Sequence, residues 1–156
     1  MGFFDRKLVF VCGNAGGQSG YFAVHSDAMN KEVQVITICP DKAMAGEKCP
    51  VLYLLHGYGG NAGTWLGIKP ELPQIADKEG IIFVCPDGKN SWYWDSPLNK
   101  EYRYETFVSK ELVNYIDKNF TTKVERGGRA ITGLSMGGHG SLWLSIRHKD
   151  VFWRRR

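Results

Sequence analysis

Residues 50–57 read PVLYLLHG, five consecutive apolar side chains from Val51 to Leu55 closed two positions later by a glycine. A strand with one wet face alternates apolar and polar residues. This run does not alternate, so both of its faces need cover, as in a parallel sheet sandwiched between helices. Residues 81–88, IIFVCPDG, repeat the pattern and stop at Pro86 and Gly88, and residues 129–135, RAITGLS, supply a further strand. Two earlier strands are read at 21–26, YFAVHS, and 31–40, KEVQVITICP, the second rich in β-branched residues.

Helical segments fall between these strands. Residues 71–80, ELPQIADKEG, end on a C-cap glycine, and residues 105–120 place Phe107, Leu112, Tyr115 and Ile116 near helical spacing. Residues 136–148, MGGHGSLWLSIRH, start another helix directly after a strand. The expected architecture is α/β, a mainly parallel sheet with helices on both faces. The irregular stretch 89–104, KNSWYWDSPLNKEYRY, interrupts the alternation with aromatics and turn formers.

Composition narrows the function classes. The 156 residues carry a formal charge of +4, but Arg154, Arg155 and Arg156 account for three of those charges, which leaves nucleic acid with little to bind. No apolar run reaches the roughly 18 residues of a membrane span. Cys12, Cys39, Cys49 and Cys85 lack metal-ligand spacing and read as buried or partly buried free thiols, so no metal site is expected. Residues 1–20 form an N-terminal segment whose short run from Leu8 to Cys12 amounts to a weak export signal at most, which leaves the compartment undecided.

Gly133-Leu134-Ser135-Met136-Gly137 matches G-x-S-x-G at the junction of a strand and a helix. A sharp turn there lifts the serine hydroxyl clear of the sheet, and the flanking glycines leave room for neighbouring backbone. The Met136 amide then stands at a helix N-terminus, free to donate to a developing oxyanion. His56-Gly57-Tyr58-Gly59-Gly60 follows a buried strand, where a glycine-rich loop turns a second amide, that of Tyr58, toward the same point. His139 lies one helical turn beyond Ser135 and points elsewhere, which gives it a helix-surface or packing role; His56 braces its own loop, and His25 and His148 read as surface residues. Turn chemistry accounts for Asp87. Trp92, Tyr93, Trp94 and Asp95 have two readings that stay open: they line an acyl or sugar pocket, with Trp94 and Asp95 binding substrate, or they anchor a loop by burial.

YLLHGYGGNAGTW, VCPDG, SWYWDSP, YRYETFVSKELVNYID and RAITGLSMGGHGSLWLSIRHKDVF together resemble the putative-esterase family of α/β-hydrolases, which includes S-formylglutathione hydrolases, tributyrin esterases, acetylxylan and feruloyl esterases and mycolyltransferases. The resemblance runs from about His25 to Phe152. It implies a serine carboxylesterase acting on short acyl esters or acylated sugars, without a cofactor, with Ser135 as nucleophile and the Tyr58 and Met136 amides as oxyanion hole. It also implies a triad completed after the serine by an Asp and a His on later loops, whereas His148 and Asp150 are the only such residues beyond His139. Residues 21–156 are therefore expected to be the N-terminal part of a domain of roughly 250 residues. Relatives continue after Asp150-Val151-Phe152 with Gly-Ala-Ala-Gly, which one inserted thymidine converts to Trp-Arg-Arg-Arg, so a frameshift is expected there. Acyl transfer to an alcohol other than water, or a silent carbohydrate-binding or misfolded fragment, are the alternatives, and the strand at Ile131 is expected to become an exposed sheet edge that self-associates.

Overall fold

The computed structural model describes residues 9–12 and 16–153. Its strands are β1 (Val9–Cys12), β2 (Gln18–Ser26), β3 (Lys31–Cys39), β4 (Val51–Leu55), β5 (Ile82–Pro86) and β6 (Arg129–Gly133). They form one sheet in the order β1-β2-β3-β5-β4-β6. β5, β4 and β6 run parallel to one another, β3 is antiparallel to β5, and the hairpin partners β1 and β2 alternate in direction beyond it. Four strands, β2, β4, β5 and β6, thus point the same way.

The helices are α1 (Asp41–Met44), α2 (Thr64–Ile68), α3 (Leu72–Glu79), α4 (Tyr104–Thr106), α5 (Val113–Asn119) and α6 (Met136–Arg147). A π-helical stretch, Phe107–Leu112, joins α4 to α5, so the helix expected at 105–120 exists but is underwound in its middle. Gly80 closes α3 in the left-handed conformation, φ +66°, as a C-cap glycine does. The short helices α1 and α2 carry too few apolar repeats to announce themselves in the sequence.

Side chains of β4 split between two cores. Val51, Tyr53 and Leu55 pack with Ile82, Val84, Phe107, Leu112, Ile116, Met136 and Leu144 on one face, while Leu54 joins Ile36, Ile38, Phe83, Leu72 and Ala76 on the other. This double burial is what the unbroken apolar run requires. Cys39, Cys49 and Cys85 are buried free thiols, and burial pushes the Cys39 and Cys85 thiols up to about 12. Part of the segment read as a separate N-terminus belongs to the sheet: Val9 pairs with Tyr21, and β2 begins at Gln18, three residues ahead of the expected start. Residues 1–8 and 13–15, which share the export-signal reading, and Arg154–Arg156 of the frameshift reading lie outside the described residues.

Candidate active site

β6 ends at Gly133 and α6 begins at Met136, leaving two residues for the reversal. Ser135 takes the strain, with φ +53° and ψ −115°, a conformation that L-residues rarely hold without compensation. Compensation comes from contacts available only to glycine. A β-carbon on Gly133 would lie 2.2 Å from the Gly137 carbonyl carbon, and one on Gly137 would lie 2.2 Å from the Leu55 oxygen. The first turn of α6 is thereby pressed onto the end of β4, and the Leu134 amide donates to Leu55 O at 3.2 Å.

The loop after β4 abuts this turn. A β-carbon on Gly57 would stand 3.2 Å from Leu134 O and 3.5 Å from Ser135 Cβ, which brings the loop carrying the Tyr58 amide beside the serine. The Gly57 carbonyl accepts hydrogen bonds from the Gly60 amide at 3.0 Å and from His56 Nδ1 at 2.7 Å. Because the peptide is planar and trans, the Tyr58 N–H points opposite to that carbonyl. Neither the Tyr58 nor the Met136 amide has an acceptor among the described residues.

His56 is almost fully buried, and its two ring nitrogens have distinct partners. Nδ1 donates to Gly57 O, while Nε2 accepts from the Gly88 amide at 2.8 Å, which defines a neutral Nδ1–H tautomer. The loop after β5 supplies more anchors: Tyr93 donates its hydroxyl to His56 O at 3.0 Å, and Asn90 Oδ1 accepts from the Gly59 amide at 2.8 Å. From below, Trp65 Nε1 donates to Leu55 O at 3.0 Å. Asp87, buried at the end of β5, caps its own turn by accepting from the Lys89 amide, and lies 3.5 Å from His56 Nε2 and 3.0 Å from Lys89 Nζ. Burial alone would raise its carboxyl, but the Lys89 amide and the Lys89 ammonium beside it help to outweigh burial, and the group is held at about 2.

The remaining sequence-read side chains have contacts of their own. His139 packs its ring between Trp92 and Trp94, with centroids 5.5 and 5.6 Å away, and its Nδ1 is buried without a partner. His25 is exposed and meets Glu32, whereas His148 is half-buried and bonds Glu105 at 2.9 Å. Asp95 spends its carboxylate on Thr106, accepting from the amide at 3.0 Å and from Oγ1 at 2.5 Å, and so ties the irregular loop to the start of the α4–α5 helix. Trp94 and Asp95 border a cavity shared with Glu105, Trp143 and Arg147. Within the aromatic loop Tyr93 is a buried anchor, while Trp92 and Trp94 stay about half exposed. The bracing by Asn90, Tyr93 and Trp65 escaped the sequence reading because it joins segments 10 to 37 positions apart that no local pattern pairs.

A strained serine between a parallel strand and a helix, with a glycine loop at its side, defines an α/β-hydrolase fold. The S-formylglutathione hydrolase from Agrobacterium tumefaciens superposes with a TM-score of 0.82 at 26% identity, over 93% of this chain and 58% of that one. A ferulic acid esterase superposes with a TM-score of 0.76 at 30% identity, over 89% of this chain and 56% of that one. An acetyl esterase of Caldicellulosiruptor saccharolyticus is 29% identical over 136 residues, 82% of this chain and 50% of that protein. The family model described as Putative esterase matches residues 26–154, and the chain belongs to that family. It spans about half the length of these relatives.

Proposed function

We propose that this chain carries the nucleophile and oxyanion hole of a serine carboxylesterase acting on short acyl esters or acylated sugars. The supporting observation is the approach of the Gly57–Tyr58 peptide to the strained Ser135, with two amides, Tyr58 and Met136, left without protein acceptors. Ser135 Oγ attacks the acyl carbonyl, and its proton passes to a base. The carbonyl π pair moves onto oxygen, where the two amides hold the negative charge. Collapse expels the alcohol, which takes the proton, and water then repeats the sequence on the acyl-serine.

No histidine side chain among the described residues hydrogen-bonds the Ser135 hydroxyl. His56 is committed to its loop and His139 to its tryptophans, so this reading takes both the base and its acid partner from outside these residues. A serine without its base retains only what the oxyanion hole and binding supply, a loss on the order of 10⁴ to 10⁶ in rate. Nitrophenol release from nitrophenyl acetate tests this. The chain alone should turn over barely above background, and a form extended by a C-terminal part bearing the Asp and His should recover turnover that Ser135→Ala abolishes. Rapid Ser135-dependent turnover by the chain alone would show that a base lies within it and overturn this assignment.

A further inference from the structure

Two neighbouring residues of the irregular loop, Trp92 at φ +56° and Tyr93 at φ +59°, occupy the left-handed region that bulky side chains avoid. Tyr93 explains how the loop tolerates this. It is fully buried, its hydroxyl is bonded to His56 O, its amide is bonded to Ser91 Oγ, and its ring packs against Gly88 and Gly140 so closely that a β-carbon on either would come within 2.3 Å of it. Locking Tyr93 inward turns its neighbours outward, and Trp92 and Trp94 are 44% and 48% exposed. Backbone strain here presents two indoles to solvent.

Those indoles continue an aromatic row along α6. Trp94 lies 5.6 Å from His139 and 5.7 Å from Trp143, and the Arg147 guanidinium covers Trp143 at 4.8 Å. Beside this row is a cavity of about 270 Å³ lined by Trp94, Asp95, Glu105, Trp143 and Arg147. Its polar groups are held in fixed orientations: Glu105 accepts from Arg147 Nε at 2.7 Å, Trp143 Nε1 at 2.9 Å and His148 Nε2 at 2.9 Å, and Asp95 is held by Thr106. Carboxylate lone pairs remain on both acids, and the two terminal nitrogens of Arg147 have no acceptor among the described residues.

The half-exposed Trp94 indole, edged by fixed acceptors and a donor fork, matches a pyranose ring, whose C–H face stacks on an indole while its hydroxyls reach acceptors and donors together. An acyl chain would leave the carboxylates unused, and an anion would meet two carboxylates against one guanidinium. Trp143 stands eight residues past Ser135, roughly 12 Å along the helix axis, too far for the ring that bears the reacting ester. We propose that this cavity is a distal subsite for a neutral pyranose unit of an oligosaccharide whose acylated unit sits at the elbow. The link to the elbow rests on the esterase reading; the sugar contact itself does not require Ser135.

Titration of the chain with xylopentaose, followed by tryptophan fluorescence and calorimetry, tests the subsite. Saturable binding is expected with Kd near 1 mM or tighter, weakened about tenfold by Trp94→Ala or Trp143→Ala. Arg147→Lys, on a half-exposed side chain, should weaken it without disturbing the fold and decides the matter if either tryptophan variant fails to fold. Leu98→Ala, on the same loop but almost fully exposed, should leave it unchanged. Absence of saturable binding, binding that ignores all three cavity variants, or binding of free ferulate in place of the pentasaccharide would each overturn the proposal. Ser135-dependent nitrophenol release by the form extended with the Asp and His separates the two readings: an active extended form that binds no sugar loses the subsite and keeps the esterase reading, and an inactive extended form that binds sugar does the reverse.

Discussion

β4 and β6 are hydrogen-bonded neighbours that run in the same direction, and each delivers one half of the candidate site from its C-terminal end. Their surroundings differ. β4 lies between β5 and β6 with nearly every side chain buried, and its loop is held by Tyr93, Asn90, Gly88 and Trp65. β6 has β4 on one side and no strand on the other among the described residues, and its side chains are half-exposed. The oxyanion-loop geometry is therefore fixed by many long-range side-chain bonds, whereas the turn at the elbow is fixed by close backbone contact with the end of β4.

The largest expected effect breaks that backbone contact. Gly137→Ala drives a β-carbon to 2.2 Å from Leu55 O, a backbone atom that cannot swing aside, and should cost more than about 3 kcal/mol in urea unfolding. Gly59→Ala makes the contrast, because nothing lies within 4 Å of its added carbon. Its φ of +78° still costs about 1 kcal/mol. Equal losses in the two variants would mean that the elbow is not clamped to β4.

The second effect lies in the braced loop. His56→Ala leaves the Gly88 amide without its acceptor and removes one of the two donors to Gly57 O, with an expected loss of about 2 to 3 kcal/mol. Leu134→Ala, on the elbow but 42% exposed, should cost under about 1 kcal/mol in the same assay. A reversed order would place the support on the wrong side of the site.

Acid sharpens the same contrast. The Asp87 carboxyl is held at about 2 in the folded chain against an ordinary 3.8, so its folded pKa is depressed. Stability from such a group is present above the unfolded value and is lost as pH falls through the folded one. With Asp87 almost fully buried, nearly two units correspond to about 2 kcal/mol, and the loss falls between roughly pH 4 and 2. Asp87→Asn should be less stable at pH 7 and show a flatter acid limb. An unchanged acid limb would remove Asp87 from the brace.

Which of these features the sequence disclosed follows from the range of the interactions. The buried strands and the Ser135 elbow were legible because unbroken apolar runs and flanking glycines are local demands of a covered parallel strand and a tight turn. Placement of the Tyr58 loop followed from its position after β4. Tyr93 and Glu105 were not legible. Tyr93 looks like Trp92 and Trp94 until its hydroxyl meets His56 O, and Glu105 looks like any polar helix residue until Trp143, Arg147 and His148 converge on it from α6 and its C-terminal end. The strand β1 was not legible either, for a run of four residues does not announce its partner until it pairs with β2.

The smallest effect on stability concerns the outer flank of β6 and α6. Leu142 and Ile146 on α6 are 66% and 50% exposed, Leu134 and Trp153 lie nearby in sequence at the two ends of the same unit, and Trp153 N covers only the Arg129 carbonyl of the strand edge. An apolar helix face beside an open strand edge invites pairing with another chain. The chain should self-associate at rising concentration and bind a hydrophobic dye. Leu142→Lys with Ile146→Lys should shift unfolding stability by no more than about 0.5 kcal/mol per site, since neither side chain is packed, while lowering both dye binding and the mass-average in sedimentation velocity. β4 offers no equivalent surface, so the doubly substituted protein isolates the edge from the core. A monodisperse monomer that binds no dye before substitution would show that the exposed flank of β6 is not adhesive, and would leave the difference between the two strands a matter of burial alone.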